Sequence, residues 1–110
     1  MALDMVDIAQ EIYQSSKRLA NSGDVLFTLA KEYAKAEQTY REELSKEILR
    51  LKDLKMSITL IADLARGNIS KLKFERDLAE FKYKAGRDKI QALQSEISAL
   101  QSIYRKQDDI

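Results

Sequence analysis

Counted in alternating steps of four and three along residues 70–106, Leu72, Arg76, Ala79, Tyr83, Gly86, Ile90, Leu93, Ile97, Leu100 and Tyr104 fall on one line. That spacing holds side chains on one face of a helix, and it is the repeat of helices that pack side by side in coiled coils and antiparallel bundles. Arg76 alone breaks it. A second row, Phe74, Leu78, Phe81, Ala85, Ala92, Ala99 and Ile103, runs beside the first, so roughly half of the helix circumference is apolar or small. One partner helix cannot cover both rows. A third helix, a second copy or another protein must share the task.

The 110-residue chain contains no Pro and only three Gly, which fits an almost wholly helical protein without linkers, read as a single domain over 1–110. Residues 3–20 place Leu3, Val6, Ile8 or Ala9, Ile12, Tyr13, Ser16, Leu19 and Ala20 near one stripe of a short N-terminal helix. Asn21, Ser22, Gly23 and Asp24 supply turn and capping residues, so a break is expected there. The pattern resumes over 25–55 with Leu26, Leu29, Ala30, Tyr33, Ala36, Tyr40, Leu44, Ile48, Leu51 and Leu54.

Residues 56–68 depart from the heptad spacing. Ser57 is placed to cap a short helix, with Met56 and Ile61 at staple positions, and Gly67 suits the left-handed residue that ends one. Ile69, Ser70 and Phe74 repeat the staple pattern before the long helix. The expected fold is all-α: an antiparallel, coiled-coil-like helical hairpin with a short N-terminal helix and a short capped helix at the hinge. Folding about that hinge pairs Tyr40 with Gly86, Tyr33 with Leu93 and Leu26 with Leu100. Ile58, Leu60, Ile61 and Leu64 then either roof the end of the bundle or offer a docking surface, and Phe74, Leu78 and Phe81 extend the candidate protein interface.

Cysteine and histidine are absent, which excludes disulfides, thiolate or imidazole metal sites, a Cys nucleophile and a Ser-His-Asp triad. Carboxylate chemistry through Glu42, Glu43 and Glu47, or Asp77 and Glu80, lacks the usual Glu-x-x-His partner, and none of these acids lies on the apolar rows. Gly67 and Gly86 are isolated, so no phosphate loop is present. The expectation is a protein that is not an enzyme and takes no cofactor, metal or small-molecule substrate. No apolar run is long enough for a membrane span, and acids at the N-terminus argue against a signal peptide, so an intracellular location is expected.

Net charge is +1, but residues 46–89 hold twelve Lys/Arg against seven acids. Arg66, Lys71, Lys73, Arg76, Lys82, Lys84, Arg87 and Lys89, with Phe81 and Tyr83 among them, could track phosphates, which makes a nucleic-acid accessory factor the alternative function. Glu75, Asp77, Glu80 and Asp88 are interleaved with these bases, and both aromatics lie on the apolar rows, so a protein partner or self-association is the favoured role.

The stretch LKMSITLIADLARGNISKLKFERDLAEFKYKAGRDKIQALQSEISALQS resembles small helical proteins encoded in phages and prophages of low-GC Gram-positive bacteria. The likeness covers about residues 49–102, through the hinge run Ser57 to Gly67 and the following Tyr83-Lys84-Ala85, and carries no catalytic motif. It implies a virus-derived accessory protein of the bacterial cytoplasm, acting on a host enzyme, a defence system or a viral component, and assigns no residue roles.

Overall fold

The computed structural model describes residues 4–108. Three helices hold nearly all of them: α1 (Met5–Asp53), α2 (Ile58–Asn68) and α3 (Ser70–Asp108). Among the described residues only Asp4, Leu54, Lys55, Met56, Ser57 and Ile69 lie outside a helix, and there is no strand. The all-α class read from the sequence is therefore what the chain adopts. Leu3 and the tail beyond Asp108 lie outside the described residues.

The break expected at 21–24 does not form, and α1 runs through it. Two physical reasons account for this. Counted back from Tyr40, the four-three spacing continues without a gap through Ala36, Tyr33, Leu29, Leu26, Ser22, Leu19, Ser15, Ile12 and Ile8, so the stripe never loses its face. Gly23 also adopts no positive φ, and it costs only roughly 1 kcal/mol relative to Ala inside a helix, which a continuous packed stripe readily offsets. The buried serine is accordingly Ser15, which is fully buried, while Ser16 is exposed.

α1 ends where Lys55 takes a left-handed conformation, φ 58°. Its amide donates to the Lys52 carbonyl at 2.9 Å and the Met56 amide donates to the Leu51 carbonyl at 3.2 Å, the paired closure of a Schellman cap with lysine in glycine's usual place. α2 opens as expected after Ser57, whose carbonyl accepts from the Leu60 and Ile61 amides. The Ser57 hydroxyl makes no cap bond and instead lies 2.9 Å from that of Thr59. Gly67 does not end α2 in a left-handed turn, since no glycine has positive φ. Ile69 separates the helices instead, its amide donating to Ala65 and its carbonyl accepting from Leu72 and Lys73. The second staple fails for the same reason, because Ile69 itself occupies the capping position, and Phe74 stays exposed.

The chain divides into two compact units, Met1–Thr28 with Lys84–Ile110, and Leu29–Tyr83. In the first, Ile8 and Ser15 of α1 and Leu93 and Ile97 of α3 are buried. Ser15 Oγ donates to Glu96 Oε1 at 3.5 Å, Leu26 borders a groove with Gly86, and Ile8 borders one with Leu100. In the second, Leu51, Ile61 and Ala65 form a buried cluster with Leu44 and Ile48 packed against it.

The expected register is corrected throughout. Tyr33 lies beside Tyr83, with ring centroids 6.1 Å apart, Tyr40 lies under Arg76, and Leu26 neighbours Gly86 rather than Leu100. The displacement is ten residues at Tyr33 and Tyr40 and fourteen at Leu26, about three to four helical turns. It arises because α2 lies back against the last turns of α1, where Asn68 bonds Glu47, so α3 starts beside α1 well before its end.

Candidate protein-binding face

The periodicity of α2 decides which of its apolar side chains serve the core. Ile61 and Ala65, one turn apart, face α1 and are buried. Ile61 is thus a roof residue and drops out of the candidate interface. Ile58 is 86% exposed, and Leu60 and Leu64 are also open to solvent, so these three remain on an outer surface. Met56, Leu49 and Leu54 are exposed in the same unit. Leu54 does not continue the α1 stripe because the helix has already ended.

On α3 the two rows do not run side by side but lie on opposite faces, because positions two apart differ by about 200° around a helix. In the second unit the first row, Leu72, Arg76, Ala79 and Tyr83, is half-buried. The second row is open: Phe74 is 66%, Leu78 42% and Phe81 72% exposed. Their spacing of four and three puts them on one stripe. In the first unit the continuation of this row, Ala85, Ala92, Ala99 and Ile103, is exposed as well, but small side chains dominate it. Phe27, also exposed, was missed by sequence reasoning, although an aromatic one position off the four-three line was the available signal.

Arg76, the one break in the apolar line, is explained by its partners. It donates to Glu37 of α1, bonds Asp77 at 3.1 Å and approaches Glu80 at 3.9 Å, and its guanidinium sits 5.8 Å from the centre of the Tyr40 ring. The hydrogen bond from Arg76, followed by that from Arg41, holds the Glu37 carboxyl below its usual range. Lys73 bonds Asp77 at 2.8 Å, lowering the carboxyl and raising the ammonium. Glu47 is lowered by Arg50 first and Asn68 second.

These pairs bear directly on the basic residues. Arg66 pairs with Asp63 at 3.6 Å, Lys73 with Asp77, and Arg76 with Glu37, so at least three of the eight candidate phosphate contacts already have acid partners. Lys71 and Lys82 are exposed on the second unit, and Lys84, Arg87 and Lys89 on the first. Among the described residues no group of three or more acids is gathered to hold a metal ion, and no helix is long and apolar enough to cross a membrane. No protein-family model, curated protein or solved structure matches the chain.

Proposed function

We propose that the chain is a non-enzymatic helical interaction module that binds protein through the outer row of α3. The observation that carries this reading is the stripe of Phe74, Leu78 and Phe81, three large apolar side chains left open in succession on the face of α3 away from its half-buried row. Single exposed apolar residues are ordinary, whereas a contiguous set is a mark of a binding surface. Ile58, Leu60 and Leu64 of α2 add a second apolar surface in the same unit. We place this face on a helical hairpin of coiled-coil type, in which the antiparallel pairing of α1 with α3 uses the first row and leaves the second for the partner. The resemblance of residues 49–102 to phage and prophage proteins supports reading it as a viral accessory protein that acts in the bacterial cytoplasm.

Replacing Phe81 by a photo-crosslinking benzoylphenylalanine tests the reading without knowing the partner. Irradiation of the purified protein and of protein in a bacterial lysate is expected to give a protein adduct in at least one of them. Absence of adducts in both, with the same residue at the outward position Glu42 of α1 as the background control, overturns it.

A further inference from the structure

The ends of the exposed stripe carry opposite charge. Glu75 lies next to Phe74 and Lys82 next to Phe81, seven residues apart and therefore on the same flank of the row. Both are exposed, and neither makes an ion pair among the described residues. Asp77 and Lys73, by contrast, satisfy each other within the helix.

Turning a second copy of this stretch end for end about Leu78 puts each group opposite its complement. Phe74 of one copy comes within one residue, about 1.5 Å along the axis, of the level of Phe81 of the other, Leu78 meets Leu78, and Glu75 comes equally near the level of Lys82 on both sides of the axis. An isologous interface requires this self-complementarity, in which each residue meets the partner of its own pair. In a parallel twofold pair the flank that carries Glu75 and Lys82 falls on opposite sides of the interface in the two copies, so neither charge meets its complement.

We propose that the Phe74, Leu78 and Phe81 stripe is the contact of an antiparallel homodimer, with its twofold axis near Leu78 and reciprocal Glu75 to Lys82 ion pairs setting the direction. This rests on the reading of the stripe as a protein-binding face and names its occupant, a second copy of the chain. The patch is short, so the dimer is expected to dissociate on dilution.

Sedimentation equilibrium of the purified chain up to about 1 mM tests the proposal, with circular dichroism confirming that each variant keeps its helices. The wild type is expected to be a dimer at the upper concentrations, and Phe81→Asp to weaken it by roughly a hundredfold or more, since two copies of the ring lose their cover. Glu75→Lys and Lys82→Glu each set like charges opposite each other twice, and are expected to weaken the dimer roughly tenfold at low salt. The double variant Glu75→Lys/Lys82→Glu restores opposite charges and is expected to return to wild-type affinity. A wild type monomeric at 1 mM overturns the homodimer, while an adduct of the Phe81 photoprobe in lysate would leave the binding face standing with a foreign occupant. A dimer indifferent to the charge reversals, or a double variant no better than the singles, overturns the antiparallel arrangement.

Discussion

Lys55 carries the turn out of α1 in a conformation that an L side chain adopts at a cost of roughly 1–2 kcal/mol. Glycine would avoid that cost but lose more entropy on folding, so Lys55→Gly is expected to stabilise the protein by about 0.5–1 kcal/mol in urea unfolding. Lys55→Val, β-branched at positive φ, is expected to destabilise it, and the reverse order would show that the cap does not form. Glu37 makes a second residue-level prediction. Its carboxyl is held below the ordinary 4.5 by Arg76 and then Arg41, so its favourable contribution is complete above that ordinary value and is lost as pH falls through the depressed folded value. The melting temperature of Glu37→Gln should lie below that of the wild type at pH 7, with the gap closing as pH falls below 4.5. A gap independent of pH would assign the effect to packing.

At the scale of the helices, Gly23 and Gly67 are both helical, and a Cβ at either would meet nothing within 4 Å. Gly23→Ala and Gly67→Ala are each expected to stabilise the protein by up to about 1 kcal/mol, where a true left-handed turn would make them destabilising. In the α2 cluster, Ile61→Ala is expected to cost about 2–4 kcal/mol and Ile58→Ala less than about 0.5, because only Ile61 is buried against Leu51 and Ala65. The elements were legible where the pattern was regular. The α3 line emerged because ten positions repeat without a slip, and every described member of it is buried or half-buried. At 21–24 the local turn chemistry yields to the heptad that continues beneath it through Ser15 and Ser22. The register was not legible, since it depends on α2 folding back onto α1, a tertiary choice that leaves no mark on either helix's own spacing. Arg76 was visible only as a flaw, because its explanation lies on another helix, at Glu37 and Tyr40.

At the scale of the whole molecule, charge and apolar surface would engage different kinds of partner. Binding to a nucleic-acid backbone is driven by release of counterions, so it needs basic side chains that are free to meet phosphates. Net charge is only +1, and Arg66, Lys73 and Arg76 are engaged with Asp63, Asp77 and Glu37. Each would have to exchange an acid partner for a phosphate, gaining little. A gel-shift series with single- and double-stranded DNA at micromolar protein is therefore expected to show no complex even at about 50 mM salt. The nucleic-acid reading instead requires a shift that weakens steeply with salt, whose slope flattens by about three units in Lys71→Glu/Lys73→Glu/Lys84→Glu and is unchanged when Leu60 and Leu64 are made polar. Under the protein-binding reading those leucine changes weaken the capture of any partner that also uses α2, while the triple reversal has only a modest effect. The triple reversal thus separates the two readings. The exposed apolar side chains, which have no acid partners to leave before they bind, favour the protein partner.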